Sequence, residues 1–153
     1  IFATDINPTA LRSSEDGIYS SDLIAKYEQN YRASGGTKDM KEYYTEAYGH
    51  VKMNADLRTN VVFSEHNLAV DSVFSECHLI LCRNVLIYFN RPLQERVFQL
   101  FDSSLHHQGY LCLGSKESLR FSEVAKGFEI TSERWKIYRK TKSVQTRPNK
   151  GFI

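Results

Sequence analysis

The sequence predicts an α/β fold, and three observations carry that expectation. Short apolar runs that read as buried strands alternate with stretches of helical spacing. The run His78-Leu79-Ile80-Leu81 is followed by Leu93, Val97, Leu100, Phe101 and Leu105, which recur at the helical period and make a face for packing on a sheet. Near the C-terminus, residues 128–131 and 135–139 read as a closing antiparallel pair.

In chain order, residues 1–6 (IFATDI) form a short apolar strand ending in an acid, Asp5. Pro8 opens a helix with Ala10 and Leu11, and Gly17 closes it near Tyr19. Ser20 or Ser21 caps a second helix, Asp22 to about Arg32, with Leu23, Ile24 and Tyr27 on one face. Ser34-Gly35-Gly36 is a loop. Residues 43–48 and 51–57 read as a hairpin turning at Gly49, because Val51, Met53, Ala55 and Leu57 alternate with period two. Residues 61–63 continue as a strand that ends at His66-Asn67-Leu68, and residues 71–76 connect it to the next. That next strand, 78–81, runs into Cys82-Arg83-Asn84, so the Arg and the Asn sit where a strand ends and a helix is about to begin. Asn90 caps that helix, Pro92 suits its first turn, and Gly109 ends it. Residues 110–113 are a buried strand, followed by the loop Gly114-Ser115-Lys116-Glu117-Ser118. From Lys140 the chain is polar, carries Pro148 and Gly151, and is expected to be a mobile tail.

Composition sets the outer bounds. A chain of 153 residues can bury a real core, and 41% hydrophobic with 25% charged residues is ordinary for a globular protein. A net charge of +2 is too small to argue for nucleic acid or a membrane surface as partner. No apolar span is long enough for membrane insertion and no signal-peptide pattern is present. Cys77, Cys82 and Cys112 all fall in strand-like runs, an odd set that points to reduced thiols and a cytoplasmic setting.

The candidate site residues lie at strand ends, where open α/β sheets bind ligands. Asp5 either accepts hydrogen bonds from ribose hydroxyls or serves as a helix cap or turn acid. The amide of Asn67 suits an adenine edge and Leu68 can pack on a ring, or the pair is a simple turn. The rigid fork of Arg83 suits a carboxylate, or makes a structural salt bridge. Tyr88 either walls the site or joins the core. His66, His78, His106 and His107 have no thiol or carboxylate at ligand spacing, so no metal is expected. Cys82 has no neighbour that would activate it and reads as a structural thiol.

Taken together, ATDI at 3–6, Leu11 with Gly17-Ile18-Tyr19, VVFSEHNL at 61–68, CRNVLIYF at 82–89, GYLCLGSKESL at 109–119 and the ending WKIYRK resemble one family from residue 1 to about 140. It is the CheR-type chemotaxis receptor methyltransferases. The resemblance implies a Rossmann-like class I methyltransferase sheet with a small antiparallel β-subdomain at about 41–60, inside a partial domain 1–140 with a polar tail 141–153. It implies S-adenosylmethionine as cofactor, S-adenosylhomocysteine as product, and methyl-accepting chemotaxis receptors as partners. Asp5 would hold the ribose, and Asn67 and Leu68 the adenosyl part. Arg83 and Asn84 would line the methionine and methyl-transfer end beside Tyr88, with Arg83 and Tyr88 the catalytic candidates.

Three departures from the family pattern follow. The chain starts at what resembles the family's second strand, without the first strand and its Gly-rich acidic loop. Either the strands at 1–6 and 78–82 pair directly, or two chains combine across exposed strand edges, or the chain is a fragment of a longer protein; alone it is expected to bind the cofactor poorly and be inactive. The hairpin turn Tyr48-Gly49-His50 is short, which predicts action independent of a receptor tether peptide. His78 stands where the family commonly has an acid. Two rival readings keep the same residues: a non-enzymatic docking module for receptors or signalling partners, and a methyltransferase acting on a carboxylate of a non-chemotaxis protein.

Overall fold

A computed structural model describes residues 1–73 and 75–142. The chain divides into two compact units, Ile1–Asn67 and a second beginning at Leu68. The first is built on two parallel strands, β1 (Phe2–Asp5) and β5 (Val62–Glu65), in register from Phe2 opposite Val62 to Asp5 opposite Glu65. Between them in sequence come α1 (Pro8–Asp16), β2 (Ile18–Ser20), α2 (Ile24–Ala33), β3 (Tyr44–Ala47) and β4 (His50–Met53).

Local chemistry sets these boundaries. The Asn7 side chain accepts from the Thr9 amide at 2.9 Å, and Pro8 occupies the first turn of α1, where its missing N–H costs nothing. Gly17 ends α1 at φ 64°, a left-handed cap whose N–H returns to the Ser13 carbonyl. Ser20 accepts from the Asp22 amide and starts a 3-10 turn at Ser21–Leu23, so α2 begins at Ile24 rather than at Asp22.

Residues 18–20, read above as the end of a helix segment, form β2, the third strand of a small antiparallel sheet ordered β2-β4-β3. The expected hairpin is present, but its second strand stops at Met53. Ala55–Arg58 is a 3-10 turn, with Leu57 47% exposed, so the alternation beyond Met53 is not a strand. The turn itself carries Tyr48 at φ 50° and Gly49 at φ 73°. Tyr44 donates to Glu28 at 2.7 Å and ties α2 to the sheet; that bond, and then burial, pushes its hydroxyl up to about 12.

The second unit is a four-stranded sheet ordered β6-β7-β9-β8, from β6 (Cys77–Cys82), β7 (Leu105–Leu113), β8 (Phe128–Ser132) and β9 (Ile137–Lys140). β6 and β7 are parallel and joined through α3 (Arg91–Ser104); β9 is antiparallel to both β7 and β8. α3 lays Val97, Phe98 and Phe101 against Leu111, Leu113 and Tyr138, with Leu86, Leu119 and Val124 completing the core. Each such side chain contributes about 1.5–3 kcal/mol by leaving water. β6 is buried on one face only. Ile80 and Cys82 face this core, while Leu79 and Leu81 on the other face are 55% and 67% exposed. Among the described residues β6 pairs with β7 alone, and β1 with β5 alone.

Two expectations near β7 and β9 are corrected. The helix ends at Ser104, and Gly109 lies inside β7, beside a register shift opposite Cys77 and Leu79. Gly109 is there because a Cβ would sit 2.9 Å from the carbonyls of His106 and His78, not because a helix stops. His78 stacks on His106 at the same place, centroids 5.0 Å apart. Trp135 lies in the turn before β9, 58% exposed, and Lys140 is a buried strand residue rather than the start of a tail. The expected mobile tail falls, from residue 143 on, outside the described residues.

Candidate functional site

Asp5 and Asn67 come to one sheet edge. Asp5 ends β1 and pairs with Glu65, and its carbonyl accepts from His66, directly before Asn67. Parallel pairing therefore puts Asp5 at the carboxyl end of β1 and Asn67 just beyond that of β5. One oxygen of the exposed Asp5 carboxylate accepts from the Asn7 amide at 2.8 Å, which leaves the other to accept from a ligand hydroxyl. Leu68, the first residue of the second unit, packs against that unit's core, so it is a half-buried anchor.

Arg83, Asn84 and Tyr88 lie together beyond the end of β6. Arg83 and Asn84 are exposed, not packed inside. Among the described residues the Arg83 side chain makes no hydrogen bond or ion pair, so the structural salt bridge weighed above is not formed. Tyr88 is 81% exposed and stands on a short 3-10 turn, Leu86–Tyr88; it is not a core aromatic.

The turn that carries these residues is held from two sides. Asn84 adopts φ 60°, a left-handed conformation uncommon for a residue with a Cβ. Its amide donates to Oε2 of Glu117 at 3.1 Å. Val85 and Leu86 donate to Oε1 at 2.9 and 2.7 Å, and Gly114 donates to Oε2 at 2.5 Å. Glu117 is 5% exposed, so its charge is met by four backbone N–H groups instead of water. From α3, Gln94 donates to the carbonyls of Leu86 and Phe89 at 2.9 and 3.0 Å. Gly114 admits no side chain: a Cβ there would lie 2.6 Å from Asn84 Oδ1 and 2.7 Å from Glu117 Oε2.

The sequence reading passed over Glu117 and Gln94. Glu117 stood in a loop behind an apolar strand, and the one local signal was Gly114 three residues before it. Cys82 is a buried structural thiol with no activating neighbour, as expected despite its place at a strand end. Burial, and then the negative charge of Glu117, pushes its thiol up to about 12. Among the described residues no cluster of three metal-ligating side chains occurs, and no helix is long and apolar enough to cross a membrane.

Within the first unit a strand end thus offers an acid with one free oxygen, and within the second a strand end offers an exposed guanidinium with no partner among the described residues. Comparison with known proteins is consistent with that chemistry. Residues 1–137 match the family described as CheR methyltransferase, SAM binding domain. A Pseudomonas putida protein that carries the name methyltransferase Cher3 is 53% identical over 141 residues, 92% of this chain and 52% of its own length. A chemotaxis protein methyltransferase 1 of Vibrio cholerae is 32% identical over 120 residues, 78% of this chain and 42% of its own. A chemotaxis protein methyltransferase of Listeria innocua is 29% identical over 119 residues. The chain thus spans about half the length of these curated relatives.

Proposed function

The chain belongs to the CheR methyltransferase family, and from that premise we propose that it supplies part of a protein-glutamate O-methyltransferase using S-adenosylmethionine on chemotaxis receptors. The class I methyltransferase fold of that family accounts for the mixed sheets. The observation that carries the reading is Arg83: an exposed guanidinium just past the end of β6, without a partner among the described residues, on a turn held by Glu117.

The cofactor supplies an electrophilic methyl group on a sulfonium. Each unit has residues that would suit it: in the first, Asp5 offers one carboxylate oxygen for ribose hydroxyls and Asn67 follows the neighbouring strand end; in the second, Leu68 would pack on the adenosyl part and Asn84 stands beside Arg83. The acceptor glutamate is ionised at neutral pH, so no general base is needed. With the cofactor bound, its sulfonium methyl is what this carboxylate would accept, and the sulfur would leave with the bonding pair. Arg83 orients the carboxylate, and Tyr88 shields it from water.

In this reading the β2-β4-β3 sheet is the part that meets the receptor, residues 1–140 are one methyltransferase domain with that β-subdomain inserted, and the setting is the cytoplasm. The open edges of β1 and β6 are where self-association would occur. Transfer of tritiated methyl groups onto receptor membranes by the complete natural protein tests the proposal. Label on receptor glutamates is the expected result. Label on an unrelated protein would move the acceptor, and no label with intact cofactor binding would leave a docking role.

A further inference from the structure

We infer that Glu117 is a positioning residue for methyl transfer: its carboxylate holds the Asn84–Leu86 backbone in the one shape that presents Arg83. The inference rests on the methyl-transfer reading of Arg83. The geometry is specific. Three consecutive amides, Asn84, Val85 and Leu86, turn inward onto one carboxylate that also receives the Gly114 amide from the end of β7. Three successive N–H groups converge on one anion only if the chain folds back on itself, and here the left-handed Asn84 makes that turn. Left to itself, Asn84 at φ 60° would also sample right-handed and extended backbone, because even asparagine takes the left-handed form only as a minority conformation. Relaxing it would swing the residue before it, Arg83. Gly114 lets the two strand ends approach closely enough for a single side chain to bridge them.

The chemistry of the side chain separates this from mere packing. A glutamine in the same place has one acceptor oxygen, and its NH2 would face N–H donors. An aspartate keeps the charge but falls short by one methylene. So residue 117 needs both its two anionic oxygens and the reach of a glutamate.

The test uses the complete natural protein and the variants Glu117→Gln, Glu117→Asp, Arg83→Ala and the double Arg83→Ala/Glu117→Gln. Asp102→Asn, which loosens the same unit near the start of β7, is the control. Backbone hydrogen exchange over residues 84–86 reports the clamp without reference to activity. In Glu117→Gln those amides should exchange faster and kcat should fall about 100-fold, the scale of a misplaced orienting group. The double variant should be no slower than Arg83→Ala alone, because Glu117 acts on methyl transfer only by placing Arg83. Asp102→Asn should leave kcat unchanged below its melting temperature. Wild-type kcat in Glu117→Gln despite fast exchange overturns the inference, and so do losses that multiply in the double variant. If neither Glu117 variant folds, the residue is a folding element and the inference also fails. Protected amides in a wild-type protein that transfers no methyl group would instead overturn the reading of the site, and the positioning role with it.

Discussion

Lys140 places its ammonium 3.4 Å from Oδ1 of Asp102, with both side chains almost wholly buried, and donates to the carbonyls of Asp102 and Leu105. The contact fastens β9 to the C-terminal end of α3. Removing one partner strands a charge in the interior. Lys140→Ala should therefore destabilise the protein by about 3 kcal/mol, whereas Lys140→Met with Asp102→Leu should recover most of it. Urea unfolding of the three proteins checks this; a single variant as stable as wild type would contradict it.

Arg83 and Asp5 should separate kinetically. Arg83→Ala is expected to lower kcat about 100-fold while the cofactor dissociation constant stays within about threefold. Asp5→Ala should do the reverse, weakening cofactor binding about tenfold through the lost charged hydrogen bonds. Calorimetry with S-adenosylhomocysteine and single-turnover methyl transfer read the two effects apart.

Cys82 makes the second unit sensitive to alkali. Its thiol, ordinarily near 9, is pushed up to about 12 by burial and by Glu117. The folded state holds the proton that the unfolded chain gives up first. The stability is fully present below about pH 9 and is lost as pH rises toward about 12. Cys82→Val should flatten the fall of the urea midpoint between these limits. At pH 8 native protein should resist alkylation at Cys82, which labels only after unfolding.

The hairpin tip is strained. Tyr48 is fully exposed at φ 50° and precedes Gly49 at φ 73°, so both central turn residues are left-handed. Tyr48→Asn should stabilise the protein by about 0.5–1 kcal/mol, and Gly49→Ala should destabilise it by a similar amount. Thermal melts of both variants check the signs. A stability gain accompanied by weaker receptor methylation would mark Tyr48 as a contact residue.

Much of this protein was legible from neighbours in sequence. The Asn7 and Asn90 caps, the left-handed Gly17, the apolar face of α3 and the placing of Arg83 and Asn84 beyond a strand all follow from local spacing and backbone preference. The motif order pointed to the family as well. Contacts between distant segments decided the rest. β2 exists because β4 offers residues 18–20 a partner, and Gly109 is required by the carbonyl of His78 rather than by a helix end. Lys140 is buried because Asp102 waits for it. The shape of the Arg83 turn was settled by Glu117, more than thirty residues away. Caps and periodicity act within a few residues of one another and so are written in the local sequence. A buried carboxylate's partners are chosen by which strand ends the sheet brings side by side, and only the folded chain holds that.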